Sequence, residues 1–479
     1  MSCKTGFDPY RLIMSTLPLP NRVQILKQKF TQSCGLPFRD LLSEKTIDEA
    51  LAAEKIKYRC RLFDPFVTLW TFLSQVLDSD KTCHNAVSRV IATLAAEDAE
   101  IPSEDSSAYC QARKRLPEKL LQRLFGQVAQ ELEKQVSSDH LWCGRHVKVI
   151  DGSTVSMPDT VMNQKAYPQS SSQAEGCGFP IAKIGALFSL ATGAAVALVI
   201  NRKNMHDIQL ARQLYQFLNP GDVLLGDCAF CSYADLFFIQ KHSCDAVFRL
   251  SPTRKHEIER GRRKPLKSYE SIEIWHRPKT RPKSLSIEEF NSLPKTLTVR
   301  VIKYYIPSPG FRTKSVILAT TLLESNVYPP TEIMRLYGLR WQVELDLRHL
   351  KTTLDMDILR GKTPAIVRKE IYAHLLAYNL LRTVMWSAGT THNVDPLRLS
   401  LQGTRQLFDN FIPHFASAST QKRARLYQTL LKTIAHKLVP ERPRRCEPRV
   451  RKRRPKSYPL MKKPRQTLRE ECLAANAFP

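Results

Sequence analysis

Apolar residues recur at intervals of three and four in the first third of the chain. Pro65–Leu77 and Cys83–Leu94 show this spacing most clearly, which predicts two amphipathic helices joined by the polar turn Asp78–Lys81. Helix pairs with so short a turn occur in DNA-binding proteins, but they are commoner as ordinary packed structure. We therefore predict an N-terminal helical domain over residues 1–145 and leave open whether these two helices contact DNA.

Further along the chain, hydrophobic and polar residues alternate instead. This alternation covers residues 146–151 and stops at an Asp-Gly-Ser sequence that begins with Asp151, so we predict a strand that carries Asp151 at its carboxyl-terminal end. The apolar stretch Ile184–Ile200 is interrupted by Ser189, Thr192 and two glycines. These interruptions indicate two buried strands and a tight turn, and not a membrane span.

Helices and strands alternate after this hairpin. The predicted elements are a helix over His206–Leu218, a strand over Asp222–Asp227, a helix over Tyr233–Lys241 and a strand over Asp245–Leu250. Three consecutive strands followed by alternating helices and strands are typical of an α/β fold, in which helices flank a mixed sheet. Asp151 and Asp227 then end corresponding strands, and we expect them to approach each other in space.

Residues 251–328 interrupt this alternation. Residues 251–285 are rich in Arg, Lys and Pro, which is typical of a loop, whereas residues 296–322 contain two apolar stretches separated by a Pro-Ser-Pro-Gly turn. We predict an inserted β-rich subdomain that divides the α/β core into residues 146–250 and 329–390.

The helix that follows the insertion carries polar residues along one face. We predict that Thr331 caps its amino-terminal end and that an apolar face is buried, comprising Ile333, Leu336, Leu339, Val343, Leu347 and Leu350. A second stripe, with successive spacings of three, four and seven residues, comprises Tyr337, Arg340, Glu344 and Lys351. Residues at these intervals project from one broad side of a helix. Taken alone, this stripe is explained by ion pairs on a protein surface.

The two strand-end aspartates change this interpretation, because the helix can pack across them. Converging carboxylates on Asp151, Asp227 and Glu344 repel one another unless divalent cations neutralise them. Oxygen ligands favour Mg²⁺, with Mn²⁺ as a substitute, and a pair of such ions promotes phosphodiester hydrolysis. Asp159 and Asp355 are the alternatives if one of the three acids is misassigned.

The charge of the chain indicates a polyanionic partner. Of 479 residues, 73 are Lys or Arg and 45 are Asp or Glu, a formal net charge of +28, which favours nucleic acid over an anionic membrane surface. The C-terminal region, residues 391–479, is predicted to be helical and then to end in a basic tail. Residues 441–469 contain thirteen Lys or Arg and two Glu. Such a segment cannot form a core, so we predict an extended arm along nucleic acid, with a solvated tail as the alternative.

The combined motifs resemble those of the insertion-sequence-four family of bacterial DDE transposases. Asp151 in VIDGST is similar to the first acid of the family, and Asp227 in LLGDCAF to the second. Glu344 in LRWQVEL is similar to the closing Glu. The other positions of the family's Tyr-Arg-Glu-Lys signature are occupied by Tyr337, Arg340 and Lys351.

The resemblance implies a ribonuclease H-like core, dependence on Mg²⁺ with two bound ions, and a homodimer that holds two transposon ends. It implies hydrolysis at the terminal inverted repeats, followed by attack of the freed 3′-hydroxyl on the opposite strand or on target DNA. Asp151 would contact both ions, and Asp227 and Glu344 one each. Arg340 and Lys351 would hold backbone phosphates, and Tyr337 would hydrogen-bond a nearby phosphate.

Two alternatives remain open from the sequence. The chain fits an inactive DNA-binding descendant of a transposase, and it fits a metal-dependent nuclease that cuts without joining. The absence of a secretory signal predicts a cytoplasmic protein, and the resemblance implies a prokaryotic one, near the nucleoid. Within the signature helix we expect Trp341 to lie in the core, as helix tryptophans commonly do, and Asp346 to pair with a neighbouring cation.

Overall fold

The computed structural model describes residues 19–33, 41–59, 61–251, 260–305, 315–440 and 461–475. Most of the predicted basic arm, residues 441–460, and the turn predicted at residues 307–310 lie outside these ranges. The strands within them are β1 Val147–Ser156, β2 Ile181–Ser189, β3 Ala195–Arg202, β4 Val223–Gly226, β5 Asp245–Arg249, β6 Arg260–Lys267, β7 Glu270–His276, β8 Thr296–Tyr305 and β9 Ser315–Thr320. They form one sheet in the order β3-β2-β1-β4-β5-β9-β8-β7-β6.

Helices flank the sheet and build the N-terminal region. That region contains α1 Leu19–Ser33, α2 Glu44–Ala53, α3 Pro65–Leu77, α4 Cys83–Ala95, α5 Ser107–Arg115 and α6 Glu118–Glu133. The helices among the strands are α7 Val161–Ala166, α8 Asp207–Arg212, α9 Tyr233–Lys241 and α10 Ile287–Ser292. After the last strand come α11 Pro330–Leu339, α12 Trp341–Arg348, α13 Pro364–Thr391, α14 Leu401–Ser417, α15 Thr420–Ala435 and α16 Arg465–Ala475. The predicted α/β fold, a mixed sheet flanked by helices, is confirmed. None of the helices in the described ranges is both long enough and apolar enough to span a bilayer.

The parallel pairing of β1 with β4 sets the positions of Asp151 and Asp227. The prediction that the strand ends at Asp151 is wrong, because β1 continues to Ser156 through its antiparallel pairing with β2, whereas Asp227 directly follows β4. Val149 lies opposite Leu225 in the ladder between β1 and β4, and Asp151 and Asp227 each follow two residues later. Because side chains alternate across a strand, each acid projects from the same face of the sheet as the residue two positions before it.

The two faces of the sheet belong to different hydrophobic clusters. Val149 and Leu225 pack in a cluster that contains Val343 and Leu347 of α12. Ile150, on the opposite face, packs in a second cluster with residues of α9. Asp151 and Asp227 therefore face the helical layer that includes α12, the helix carrying part of the predicted signature.

The inserted strands continue the core sheet. β9 pairs antiparallel with β5, and β8, β7 and β6 extend the sheet from there. The loop predicted for the first part of the insertion is wrong for residues 260–276, which form β6 and β7. The charged residues of β7 are not recognisable as buried from the sequence, because their partners are known only from the fold. Arg300 Nε donates to Glu270 Oε1 at 2.6 Å, and Trp275 Nε1 donates to Glu273 Oε2 at 3.0 Å.

The predicted helices differ from the structure in three details. Pro330 occupies the first turn of α11 and the preceding proline is the cap, so Thr331 is not the capping residue. The helical hydrogen bonding is interrupted at Arg340, where α11 ends and α12 begins. Leu339 at this break is 47% exposed, so it does not join the buried apolar face. The helix predicted over residues 206–218 is reduced to α8 and a short 3-10 turn.

A buried ion pair holds α12 against α13 and the turn between β2 and β3. Arg382 of α13 pairs with Asp346 of α12, each of these side chains being 2% exposed, which confirms the predicted cationic partner of Asp346. Arg382 Nε donates to the Tyr378 hydroxyl at 2.9 Å, and that hydroxyl donates to the Gly193 carbonyl at 2.7 Å. Gly193 has a φ of +68°, and a Cβ there would lie 2.9 Å from Arg382 Cζ. The turn therefore requires glycine.

We expect Arg382→Met to lower the free energy of unfolding by about 3–5 kcal/mol, because it leaves the Asp346 carboxylate buried and unpaired. The double variant Asp346→Asn/Arg382→Met removes both charges and should recover part of this loss. Urea unfolding followed by circular dichroism measures both. A loss below about 1 kcal/mol for the single variant, the level of an exposed pair, would contradict the role of this contact.

We also expect Gly226→Ala to destabilise the fold by about 1–3 kcal/mol through overpacking. Gly226 precedes Asp227, and a Cβ there would lie 2.9 Å from both Ile150 Cγ2 and Phe248 Cε1. Gly126→Ala is the matched control, since a Cβ at this position in α6 meets no atom within 4 Å; it should stabilise by about 0.5–1 kcal/mol. Thermal unfolding distinguishes the two, and equal effects would refute the packing argument.

Candidate active site

Backbone amides one or two residues further along the chain orient the carboxylates of Asp151 and Asp227. The Gly152 N–H donates to Asp151 Oδ1 at 2.7 Å, and the Ala229 N–H donates to Asp227 Oδ1 at 2.7 Å. Both acids are half-buried, at the point where the strands emerge from the buried core. Each carboxylate therefore has one oxygen held by a backbone N–H and a second oxygen that this bond leaves available.

The electrostatic environment of Asp151 includes both of the other predicted acids. The pKa of Asp151 is raised to about 6, chiefly by burial; the charges of Asp227 and Glu344 contribute to the rise, and the Gly152 amide and the Arg340 guanidinium oppose it. Charges affect a pKa this way only when they are close and poorly screened. The side chains from β1, from the end of β4 and from α12 therefore lie near enough for their charges to interact.

Arg340 lies at the break between α11 and α12 and contacts Glu344. Its Nη2 donates to Glu344 Oε1 at 2.9 Å, and its guanidinium lies 5.1 Å from the Trp341 ring centroid. The Arg340 side chain is buried, and its Nε has no hydrogen-bond partner among the described residues. A buried guanidinium N–H without an acceptor has unused capacity to bind an anion.

Tyr337 is buried on the same side of the sheet. Burial raises the pKa of its hydroxyl, while the nearby charges of Arg340 and Arg249 lower it and that of Asp227 raises it. Arg249 is a residue that the sequence reasoning missed. It ends β5, the parallel neighbour of β4, and the carboxyl ends of parallel strands meet at one edge of a sheet. Its position at the end of a predicted strand was the signal that could have identified it.

Lys351 lies apart from the other signature residues. It belongs to a π-helical turn, His349–Thr353, that follows α12, and its side chain is half-buried. No hydrogen bond or ion pair joins it to the three acids in the described part of the chain. The single stripe predicted from regular helical spacing is therefore modified twice, by the break at Arg340 and by the π turn. π turns are often found at functional sites.

Three further residues near the signature are now assigned. Trp341 is 50% exposed, so the expectation of a core residue is wrong. Asp159 pairs with Arg465 of α16, and Asp355 Oδ2 lies 3.7 Å from Lys81 Nζ. Both alternative acids therefore have cationic partners outside the signature helix.

The acids of the site offer carboxylate oxygens, the donors that hard divalent cations prefer. Burial and, to a smaller extent, the charges of Asp227 and Glu344 disfavour the ionised form of Asp151, and a bound cation would favour it. Within the described ranges, no three acidic, His or Cys side chains are gathered closely enough to hold a metal ion. The donor chemistry therefore fits a divalent cation, while the three carboxylates are not collected around one point.

Comparison with known proteins gives matches over most of the chain. A family model for a transposase DDE domain matches residues 142–380. A second, for the N-terminal region of the insertion element 4 transposase, matches residues 36–126. The first match includes all six predicted site residues and the second includes α3 and α4. Together the two models account for more than half of the chain.

Individual relatives agree with these families. The transposase InsG for insertion sequence element IS4 of Escherichia coli K12 is 26% identical over 462 residues, which covers 95% of this chain and 99% of the relative. The Escherichia coli transposase for insertion sequence element IS421 is 36% identical over 69 residues, 14% of this chain and 19% of the relative. A solved piggyBac transposase synaptic complex with hairpin DNA covers 85% of each chain at 10% identity and a TM-score of 0.40. The chain belongs to the insertion-sequence-four family of DDE transposases, enzymes that cleave DNA and transfer its strands with the help of divalent metal ions.

Proposed function

We propose that Asp151, Asp227 and Glu344 are the catalytic acids of this transposase. The observation that carries the proposal is the shared environment of Asp151, whose pKa responds to the other two acids. The parallel register of β1 and β4 supports it, since it directs both aspartates toward α12. All three side chains offer oxygen ligands, so we propose Mg²⁺ as the resident ion, with Mn²⁺ as a substitute and two ions in the complete site.

The three acids would hold the ions together, Asp151 from β1, Asp227 from the end of β4 and Glu344 from α12. Bound divalent ions activate water and stabilise the leaving oxygen of a phosphodiester. The protein contributes two carboxylates, Asp151 and Asp227, that the Gly152 and Ala229 amides already orient.

The cationic residues around the acids would bind the DNA backbone. Arg340 has an unused N–H and a planar guanidinium suited to phosphate. Tyr337 would hydrogen-bond a phosphate once the site closes around DNA, and Lys351 would contribute a point charge beyond the acids. Arg249 joins this group because it lies near Tyr337. Trp341, half exposed beside Arg340, offers a surface on which a base can stack.

We propose that the DNA partners are the terminal inverted repeats of an insertion sequence and a target site, held by a homodimer without any membrane association, near the bacterial nucleoid. Residues 1–145 would form a DNA-binding domain. Residues 146–250 and 329–390 would form the catalytic core, interrupted by the insertion 251–328 and followed by the C-terminal region 391–479. Joining of a pre-nicked transposon end to target DNA distinguishes this function from simple nuclease activity.

Asp151→Asn, Asp227→Asn and Glu344→Gln should each abolish cleavage of a transposon end, because each removes a negatively charged ligand while keeping the side-chain shape. Binding of the same end, measured by gel shift, should persist. The matched controls are Asp159→Asn and Asp355→Asn, whose acids already pair with Arg465 and Lys81. Normal cleavage by any of the first three variants would remove that residue from the catalytic site.

Lys351→Ala should weaken end binding about equally for all DNA sequences, since a phosphate contact carries no sequence information. The slope of log affinity against log salt should become less negative by about 0.9, the value for one lost phosphate contact. Lys134→Ala, which removes an exposed lysine paired with Glu131, is the control. An unchanged slope would assign Lys351 a structural role.

A further inference from the structure

A cleft with several cations opens on one side of the N-terminal region. It has a volume of about 330 Å³ and lies between the segment that joins α2 to α3 and the end of α5. We call it the basic cleft and define it by Lys57, Tyr58, Arg59, Arg61, Phe63 and Arg115. The four cations among these are exposed, so they are accessible to a large partner.

The cations of the basic cleft are available because no carboxylate neutralises them. Among the described residues, none of the four forms an ion pair within 4.0 Å. The acid that lines the cleft, Asp64, is buried and engaged elsewhere. Its Oδ1 accepts from the Val67 N–H at 2.7 Å, as the cap of α3, and its Oδ2 lies 3.4 Å from Lys27 Nζ.

The opposite charge is concentrated elsewhere in the same region. The segment between α4 and α5 exposes five acids and contains no Lys or Arg, its acids being Glu97, Asp98, Glu100, Glu104 and Asp105. The turn between α3 and α4 adds Asp78 and Asp80, and Arg89 of α4 is paired with Asp78. α3 itself is buried along most of its length. The α3–α4 pair contains two Lys or Arg residues, Lys81 and Arg89, and both are paired with acids, Asp355 and Asp78. This element with helix-turn-helix spacing, all of it within the described residues, therefore offers a polyanion no unpaired cation.

The basic cleft is firmly connected to the catalytic core. Lys369 Nζ of α13 donates to the carbonyls of Arg113 at 3.2 Å and Lys114 at 2.9 Å, at the end of α5. Arg368 Nε donates to Glu118 at 2.8 Å at the start of α6. α13 in turn packs on β3, in the sheet that carries the catalytic acids. A polymer bound in the cleft is thus held at a set distance from the active site.

We propose that the basic cleft binds the phosphate backbone of duplex DNA and holds the transposon end during cleavage. The inference rests on the proposed function and deepens it by assigning the DNA contact within residues 1–145. Guanidinium groups donate to phosphate in a planar fork, and three of the four cations here are arginines. Phosphate contacts set the position of a duplex and supply most of its salt-dependent affinity.

The test is the salt dependence of binding by full-length protein to a duplex that carries the element's own terminal repeat. The variant Lys57→Ala/Arg59→Ala/Arg61→Ala should shift the slope of log affinity against log salt by about 2.7, for three lost phosphate contacts. Raising the salt from about 50 to 200 mM lowers the affinity of the wild type by a certain factor, and for the variant this factor should be about 40-fold smaller. Circular dichroism verifies that the variant is folded.

The matched control removes three equally exposed cations of the same region that are paired with acids. It is Lys45→Ala/Lys119→Ala/Lys134→Ala, whose partners are Glu49, Glu54 and Glu131. A slope change in the cleft variant that exceeds the control supports the proposal, and equal changes or a wild-type slope in the cleft variant overturn it. Failure of the proposed catalysis is recognised separately, because it appears as cleavage by Asp151→Asn and does not involve the cleft.

Discussion

The hydrogen-bonded ladder between β1 and β4 is the constraint on which the site depends. It aligns Val149 with Leu225, and so brings Asp151 and Asp227 onto one face of the sheet. A slip of one residue would turn Asp227 toward the other face, into the apolar surroundings of Ile150 and Phe248. The cost of burying an unpaired carboxylate there is several kcal/mol. The same register is therefore required for stability and for the proposed catalytic role of the two aspartates.

The third acid depends on a different kind of contact. Glu344 reaches the sheet from α12, whose position is maintained by the buried Asp346–Arg382 pair rather than by a ladder. Buried ion pairs contribute little net stability compared with apolar packing, but losing one partner is costly. Such a pair accordingly discriminates between arrangements of α12 on α13. The position of α12, which carries the proposed catalytic acid Glu344, therefore depends on an ion pair made by Asp346, two residues further along the helix.

Sequence reasoning succeeded where one local pattern was enough. The strand ending at Asp227 and the helix Tyr233–Lys241 follow directly from alternation and helical spacing. It failed where distant partners decide the structure. β7 includes the buried Glu270, which is neutralised by Arg300, thirty residues away, and hydropathy cannot register that. The break at Arg340 and the exposure of Trp341 likewise depend on tertiary surroundings. The three acids could be predicted as strand-end and helix residues, but their common environment required the fold.

The charge of the chain is known from its composition, but the place where that charge can bind a partner is known only from the structure. A net charge of +28 predicts a polyanionic partner without saying where it binds. In the N-terminal region many cations, such as Lys27 and Arg123, are engaged by acids, and these serve to hold helices together. The cations of the basic cleft have no such partners among the described residues, whereas Glu54 and Asp64, which flank their segment, are engaged by other cations. Pairing, rather than the number of charges, therefore separates the cations that stabilise the fold from those that can meet DNA. An unpaired cluster is costly to assemble, since like charges repel, and that cost is recovered when a polyanion binds.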